Sequence, residues 1–464
     1  MWQENLLEYI AIFFTVYLIG YSTYLFLSVV IGGIYLDKKN TMNKIHNELK
    51  HDYYFPISII VPAYNEEVTI IDSINSLINL NYKIYEIIVV NDGSRDDTAK
   101  VLIDHFKLKE TKRPIHLRLK CKPIKSIYEG KTNREGVTIT LIDKENGGKG
   151  DALNMGICAS RYPYFLGLDA DSLLQKDTLE KIIQPVLESD KVVAVGGLVR
   201  VAQCVEVKDG EIVNYLFPSN LIVAMQVMEY ERSFLASRIM NDHFNGNLII
   251  SGAVGLFKKD IVINVGGYDT DTLGEDMELV VKLHTFCRNN KIPYEIRYEP
   301  NAICWSQAPS SFKDLFTQRR RWHLGLFQSL IKYKRIFLNI NFGLIGFISY
   351  IYYLVYEFLS PFIEVIGVLA IIFASWYGEL NFKYMIFFYL LYTMFGGILT
   401  ITAFFQRIYT QHINIGKKDI LKAVLICIIE SIFFHFILSF TRITAFKGYR
   451  KSKLKWGSIK REKI

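Results

Sequence analysis

The fold is indicated most clearly by residues 57–94, ISIIVPAYNEEVTIIDSINSLINLNYKIYEIIVVNDGS. Two short runs rich in β-branched residues, 57–61 and 86–90, flank an amphipathic stretch at 68–80, and a second helical pattern follows at about 96–106. Strands that alternate with helices in this way indicate a parallel sheet with crossover helices. Ligands of such sheets bind beyond the carboxyl ends of the strands, so the residues that directly follow each strand are the first candidates for a functional site.

Polar residues follow three of the predicted strands. A third strand is predicted at 164–168, and it runs directly into an Asp-Ala-Asp sequence. Any one of these polar clusters is also typical of an ordinary turn or a helix N-cap. The candidates at the three strand ends are Ala63, Tyr64, Asn65, Glu66, Asp92, Asp169 and Asp171.

Asp169 and Asp171 place two carboxylates on the same side of an extended strand end. Such oxygen ligands suit Mg²⁺ or Mn²⁺, since Mg²⁺ is usually bound through one or two carboxylates together with substrate phosphates. A metal held there would neutralise the charge of a leaving diphosphate. The alternative is that Asp171 and Ser172 cap a helix that begins near Lys176.

A glycine-rich loop, Asn146-Gly147-Gly148-Lys149-Gly150-Asp151, precedes a helix predicted at 152–160. Its glycines allow backbone N–H groups to approach phosphate oxygens, and Lys149 adds a positive charge. The spacing differs from that of a Walker loop. The loop is therefore a candidate for phosphate contact.

The segment Leu273-Gly274-Glu275-Asp276-Met277-Glu278-Leu279 predicts a helix with acids in its first turn. One of these acids, Glu275 or Asp276, can act as a general base that removes a proton from an attacking hydroxyl, a step typically worth about 10²–10⁴-fold in rate. The alternative is that the acids only interact favourably with the positive end of the helix.

The sequence Gln318-Arg319-Arg320-Arg321-Trp322 lies in a predicted amphipathic helix between the central domain and the later apolar runs. Gln318 and Trp322 share a helical face, and Arg321 lies close to it. A flat ring can stack on a sugar while an arginine binds phosphate bidentately. The alternative is that these residues anchor the chain to lipid.

Residues 9–36 contain no charged side chain and exceed the ~20 residues that a membrane-spanning helix needs. Glu4 and Glu8 precede this run, whereas a cleaved signal peptide would begin with basic residues. Lys38 and Lys39 follow it, so we expect the central domain to be cytoplasmic.

Further apolar runs predict spans at 342–377, which Pro361 breaks into two short spans joined near Ser360, at 382–405, and at 420–440. The expected total is five spans in a bacterial cell membrane. The tail after the last span is strongly basic, which indicates contact with anionic membrane lipid rather than with nucleic acid.

The resulting organisation has five parts. The expected ranges are an N-terminal transmembrane helix and linker at 1–50, a catalytic domain at 51–308, amphipathic interface helices at 309–341, a C-terminal transmembrane region of about four helices at 342–441, and a basic cytoplasmic tail at 442–464. The six cysteines lack CxxC spacing, so neither a zinc site nor a disulfide framework is indicated.

Together these residues resemble the processive family 2 glycosyltransferases, such as cellulose, hyaluronan and poly-N-acetylglucosamine synthases. The resemblance covers about residues 57–322. It implies an α/β catalytic domain of GT-A type, with a Rossmann-like mixed sheet, inserted between transmembrane helices. It also implies a UDP-sugar donor, inversion at the anomeric carbon, and a transmembrane channel for the growing polysaccharide.

On the nucleotide side, the resemblance implies that the stretch Ala63-Tyr64-Asn65-Glu66 and Asp92 hold the uridine base, with Lys149 near the diphosphate. Asp169 and Asp171 match the family's DxD pair, and Asp171 is the expected metal ligand.

On the acceptor side, Asp276 matches the family's catalytic base. Gln318, Arg321 and Trp322 match its QxxRW motif, whose residues close over the diphosphate and stack on the acceptor. Ser251 and Gly252 lie where the family's acceptor-side segment sits.

Gly274 departs from the family, which often has Thr at this position, and this leaves the acceptor open. No cyclic-dinucleotide-binding module follows the last predicted span, so regulation of the kind seen in bacterial cellulose synthases is expected to need another chain or to be absent; the expected partners include an accessory export or regulatory subunit. The leading interpretation is a processive synthase of a β-linked polysaccharide. The alternatives are an enzyme that adds one or a few sugars to a lipid, and a catalytically silent scaffold or export protein. The identity of the sugar is not readable from the sequence.

Overall fold

The computed structural model describes residues 2–48, 54–208, 211–410, 416–430 and 434–447. Twelve strands occur within these residues: β1 (Ile57–Ala63), β2 (Tyr85–Asn91), β3 (Lys109–Glu110), β4 (Ile124–Lys131), β5 (Thr138–Lys144), β6 (Tyr164–Gly167), β7 (Ser172–Leu174), β8 (Val192–Val201), β9 (Val205–Lys208), β10 (Glu211–Tyr215), β11 (Gly255–Lys258) and β12 (Glu295–Ser306). Ten of them form one sheet in the order β3-β4-β5-β2-β1-β6-β11-β8-β12-β7, and β9 pairs with β10 separately.

The helices in the described ranges are α1 (Trp2–Glu48), α2 (Ile70–Ile78), α3 (Thr98–Phe106), α4 (Lys149–Ala159), α5 (Thr178–Ile182), α6 (Gln184–Glu188), α7 (Leu221–Arg232), α8 (Arg238–Asp242), α9 (Lys259–Asn264), α10 (Glu275–Asn289), α11 (Phe312–Lys332), α12 (Ser360–Trp376), α13 (Phe382–Thr410), α14 (Lys417–Ile429) and α15 (His435–Thr444). Short 3₁₀ and π-helical segments connect some of them.

The parallel half of the sheet carries the predicted strand ends. β5, β2, β1 and β6 lie side by side and parallel, and Asn91 pairs with Ala63 on one side and with Asp143 on the other. The ends of three strands are therefore level at one edge of the sheet. The predicted parallel sheet with crossover helices is confirmed for these strands, and antiparallel β4, β11 and β7 make the whole sheet mixed.

Helices cover both faces of the sheet because apolar side chains of β1 alternate between the two faces. Ile57, Ile59 and Val61 pack with apolar residues of α2, whereas Ile60 packs with apolar residues of α4 and α10. Fully burying a side chain of this size stabilises the folded state by about 1.5–3 kcal/mol relative to leaving it exposed. This packing fixes α4 and α10 on the same face of the sheet.

The structure differs from the sequence-based expectation at one helix boundary and in one segment. α4 begins at Lys149 rather than at 152, because Gly148, with φ of 89°, is the last non-helical residue before it. The segment 107–135, for which no strand was predicted, contributes β4, which pairs antiparallel with β5.

Two helices in the described ranges are long and apolar enough to cross a membrane, at Asn5–Lys39 within α1 and Phe382–Gln406 within α13. The segments Ile345–Phe358 and Ser360–Trp376 provide a third if they form one span, and the chain bends by 51° between them.

The expected total of five spans is therefore not supported, since the described residues provide two or three. The break near Ser360 lies where the sequence indicated it, but the two short segments are long enough to cross a membrane only when they are taken together as one bent span. The last expected span includes residues 431–433, and these, like the tail from 448 onward, lie outside the described residues.

Candidate active site

Asp92 lies directly beyond β2 and organises the glycine-rich loop in front of α4. Its buried carboxylate accepts hydrogen bonds from the Lys144 ammonium at 2.6 Å and from the backbone N–H groups of Gly147 and Gly148 at 3.0 and 2.7 Å. These three donors hold the loop against the strand ends. The predicted contact of Asp92 with a uridine base would use the same carboxylate.

The residues that follow β1 lie at the same edge of the sheet as Asp92. Asn65 has a left-handed φ of 57°, which asparagine tolerates better than most residues, and its side chain accepts from the Arg95 N–H at 2.8 Å. The Glu66 N–H donates to the Thr98 hydroxyl at 2.9 Å. The Tyr64 ring is exposed. The loops after β1 and β2 are thus fastened together.

Asp169 and Asp171 lie beyond β6, as predicted, and the helix-cap alternative is wrong. After Asp171 the chain continues as β7, and the next helix begins only at Thr178, with Asp177 as its N-cap residue. Asp171 is buried, while Asp169 is partly exposed. No group of three or more His, Cys, Asp or Glu side chains that could hold a metal occurs in the described residues.

Lys149, the first residue of α4, joins the strand-end carboxylates to α10. Its ammonium lies 2.5 Å from Oδ1 of Asp169 and 3.4 Å from Oε1 of Glu275. Burial alone would lower the pKa of Lys149, but these two carboxylates outweigh burial and raise it. The Lys149 side chain therefore stays protonated beside the two carboxylates.

The two acids at the start of α10 have different surroundings. Glu275 is buried, and desolvation raises its pKa although the charges of Lys149 and Arg321 oppose the shift. Asp276 is only partly buried, and its carboxylate accepts from the Met277 N–H at 2.8 Å and the Gly252 N–H at 3.3 Å. Of the two predicted catalytic acids, Asp276 is the one that an acceptor can reach.

Gly252, which follows Ser251 in the predicted acceptor-side segment, lies close to both Lys149 and Asp276. A Cβ atom on Gly252 would lie 2.8 Å from the Lys149 ammonium and 3.8 Å from Oδ2 of Asp276. The predicted acceptor-side segment is thus brought against both residues.

The Gln-Arg-Arg-Arg-Trp sequence lies on α11, as predicted. Gln318 is buried, and its side-chain carbonyl oxygen has no hydrogen-bond partner among the described residues. Trp322 keeps 41% of its surface exposed. Both side chains therefore have unused capacity for a ligand, one for hydrogen bonding and one for stacking.

Arg319 and Glu229 support Trp322, and sequence reasoning missed them. The Arg319 guanidinium, only 3% exposed, donates to both carboxylate oxygens of Glu229 at 2.8 and 2.6 Å. It also lies 4.4 Å from the centre of the Trp322 ring, a cation–π distance. Glu229 comes from α7, far away in the chain, so no local pattern indicated the pair.

Gly274 and Gly325 meet where α11 crosses the start of α10. A Cβ on Gly274 would lie 3.0 Å from the Cα of Gly325, and a Cβ on Gly325 would lie 2.7 Å from the Cα and N of Gly274. This contact gives a steric reason for Gly274, where the family often has Thr. The hydroxyl of Thr272 instead donates to Oε1 of Gln328 at 3.1 Å.

Lys332 ties the same two helices together at a second place. Its ammonium lies 2.6 Å from Oε1 of the buried Glu278 on α10 and 2.5 Å from Oδ2 of Asp269 in the preceding turn. Asp276 and Trp322 therefore lie on two helices that are fixed relative to each other.

The large mixed sheet, with its parallel strands β5, β2, β1 and β6, is a fold of GT-A type. A solved mannosyltransferase from Pyrobaculum calidifontis, in complex with GDP-Man and Mn²⁺, shares this fold with a TM-score of 0.51 at 17% identity. The similarity covers 88% of this chain and 99% of the mannosyltransferase.

The sequence comparisons identify the family. Residues 58–263 match "Glycosyl transferase family 2", and residues 164–405 match "Glycosyl transferase family group 2". The chain belongs to the family 2 glycosyltransferases and is an enzyme, so the silent-scaffold alternative is set aside. The resemblance stated from the motifs is confirmed.

Curated relatives extend the similarity beyond the catalytic domain. A poly-beta-1,6-N-acetyl-D-glucosamine synthase of Staphylococcus epidermidis is 30% identical over 416 residues, which cover 86% of this chain and 87% of the relative. The enzyme of the same name from Staphylococcus aureus (strain COL) is 29% identical over 320 residues, covering 68% and 66% of the two chains.

Proposed function

We propose that this enzyme transfers N-acetylglucosamine from UDP-N-acetylglucosamine to the end of a growing β-linked polysaccharide. The names of the relatives favour this sugar. The observation that carries the proposal is the Gly274–Gly325 crossing. It brings Asp276, two residues after Gly274, beside the helix that presents Trp322, three residues before Gly325.

In the proposed reaction, Asp276 accepts the proton of the acceptor hydroxyl. The acceptor oxygen attacks the anomeric carbon on the side opposite the diphosphate, and the bond to the diphosphate breaks. This displacement inverts the anomeric carbon, so an α-linked donor gives a β linkage. Glu275 is buried against Lys149 and supports the site without touching the acceptor.

Asp169 and Asp171 would hold Mg²⁺ or Mn²⁺, which when bound supplies neutralisation of the leaving diphosphate. Lys149 and Arg321 add positive charge on the same side of the site. Gln318 would give its unpaired carbonyl oxygen to a hydroxyl or N–H of the bound sugar.

Tyr64 and the loop fixed by Asp92 would receive the uracil ring. The exposed Tyr64 ring offers a stacking surface. Because three donors already engage the Asp92 carboxylate, we propose that Asp92 acts chiefly by shaping this pocket.

Trp322 would stack on the terminal sugar of the acceptor, and Arg319 would keep the ring in place from behind. A polymer held on such a platform can stay bound between additions, which is the physical basis for the proposed processivity.

We further propose a cytoplasmic catalytic domain held at the membrane, with the polymer leaving between the apolar helices. Contacts between the domain and these helices support this arrangement: the Arg232 guanidinium on α7 bonds to Thr400 on α13 at 3.0 Å and to Glu430 at 3.1 Å. Anionic lipid would surround the basic segments, and an accessory export chain is compatible with this arrangement.

The test is a donor panel on the purified full chain in lipid nanodiscs. We expect labelled UDP-N-acetylglucosamine to give polymer, whereas UDP-glucose gives little, and Asp276→Asn serves as the inactive control. A product of one or a few sugars on lipid would favour the glycolipid alternative. Absence of transfer from every UDP-sugar would refute the proposal.

A further inference from the structure

The Lys149 ammonium lies between the carboxylates of Asp169 and Glu275. We propose that Lys149 competes with the divalent metal for Asp169, and that the donor diphosphate ends this competition by drawing the ammonium away. This inference rests on the proposed nucleoside-diphosphate donor and on a metal at Asp169 and Asp171.

The competition follows from the distances. An ammonium 2.5 Å from Oδ1 of Asp169 uses the carboxylate that the metal needs as a ligand. A Mg²⁺ ion bound to the same carboxylate at about 2.0–2.1 Å would place two like charges within a few ångströms of each other. Each cation therefore weakens the binding of the other to this carboxylate.

Gly252 makes this position of the lysine possible. A Cβ on Gly252 would lie 2.8 Å from the Lys149 ammonium, closer than a side-chain contact allows. Any side chain at 252 would therefore force the ammonium to shift from the position that it holds beside Asp169. Residue 252 is in this view a determinant of where the lysine rests.

The lysine has a second place to go when a diphosphate binds. Lys149 is the first residue of α4, where the backbone N–H groups and the helix dipole attract anions, and its long side chain can turn toward the same phosphate. Glu275 would not be left without a cation, because the charge of Arg321 also acts on it.

Competition of this kind couples the two ligands. The metal alone must displace the ammonium, whereas the metal that binds with the diphosphate meets a vacated carboxylate. Coupling of this kind is reciprocal and typically amounts to 5–150-fold in affinity. Metal binding is then disfavoured without the donor, so a step that requires the metal begins only when the donor is bound.

The test measures Mn²⁺ binding to the purified full chain by the electron paramagnetic resonance of free Mn²⁺, without and with UDP. UDP itself supplies oxygen ligands to Mn²⁺, so tighter binding with UDP does not by itself demonstrate the competition. The comparison of the variants with wild type tests it. Without UDP, Lys149→Met should bind Mn²⁺ about 10-fold more tightly than wild type, and the additional effect of UDP should shrink.

Gly252→Ala provides a second variant that keeps every charge and should also tighten Mn²⁺ binding without UDP. Lys39→Met is the matched control: Lys39 is 15% exposed and 2.8 Å from Glu299, compared with 14% and 2.5 Å for Lys149 and Asp169. Its Mn²⁺ affinity should stay within about twofold of wild type.

Equal or weaker Mn²⁺ binding by Lys149→Met without UDP would overturn the proposal, as would the absence of Mn²⁺ binding by every variant. Thermal unfolding checks that each variant is folded. If Lys149→Met does not fold, the Mn²⁺ affinity of Gly252→Ala without UDP tests the proposal in its place. A chain that shows the shift but transfers no sugar would refute the proposed function and leave the competition supported.

Discussion

Substitution of Gly325 tests whether the crossing of α10 and α11 sets the geometry of catalysis. In Gly325→Ala, the new Cβ would lie 2.7 Å from the Cα and N of Gly274 and 3.1 Å from the carbonyl carbon of Leu273. All of these are backbone atoms, so no flexible side chain can yield. The two helices must separate by about 0.7 Å to restore an ordinary contact of 3.4 Å.

The separation affects rate more than stability. Overpacking costs about 1–3 kcal/mol, but replacing glycine by alanine inside a helix returns about 0.5–1 kcal/mol. The net loss of stability should therefore be small, about 0–2.5 kcal/mol. A misplacement of about 1 Å can cost 10²-fold in rate, so we expect turnover to fall by about 10–100-fold.

The assay compares turnover and melting temperature for three variants. Gly396→Ala, in the interior of α13, is the matched control because nothing lies within 4 Å of its new Cβ. Gly274→Ala should give a smaller effect than Gly325→Ala, since its Cβ would lie 3.0 Å from the nearest atom. Turnover of Gly325→Ala within about threefold of wild type would refute the reasoning.

Four further outcomes are expected. Asp276→Asn should reduce turnover by roughly 10²-fold or more with UDP binding retained; turnover within about threefold would remove Asp276 from the role of base. Excess EDTA should stop transfer, and full activity in EDTA would argue that the Asp169–Asp171 pair holds no metal. Trp322→Ala should shorten the product far more than Trp322→Phe, whereas polymer of normal length from the alanine variant in detergent would favour lipid anchoring. Glu229→Gln should lower the melting temperature, since breaking a buried ion pair costs about 3–5 kcal/mol and the part-exposed Glu229 should give the lower end; an unchanged melting temperature would contradict this.

The local parts of the site were predictable from the sequence. Asp92, Asp169 and Asp171 directly follow strands, and the position of a residue at a strand end is set by the alternation of strands and helices. The acids of α10 likewise follow from the helix start after Gly274.

The contacts between distant segments were not predictable. Arg319 finds Glu229, and Gly274 meets Gly325, across long separations in the chain that no periodicity reports. The apolar runs indicated membrane helices and Pro361 indicated the break near Ser360, where the chain bends by 51°, but hydropathy does not say whether the two segments form one bent span or two spans.

The central claim is that the sugar released from the donor enters a polymer. The most direct measurement compares UDP released with labelled N-acetylglucosamine recovered in high-molecular-weight product, using the purified wild-type chain in nanodiscs with Mn²⁺. We expect about one sugar in polymer for each UDP released, and neither product from Asp276→Asn. Release of UDP with the label remaining in small molecules would contradict it.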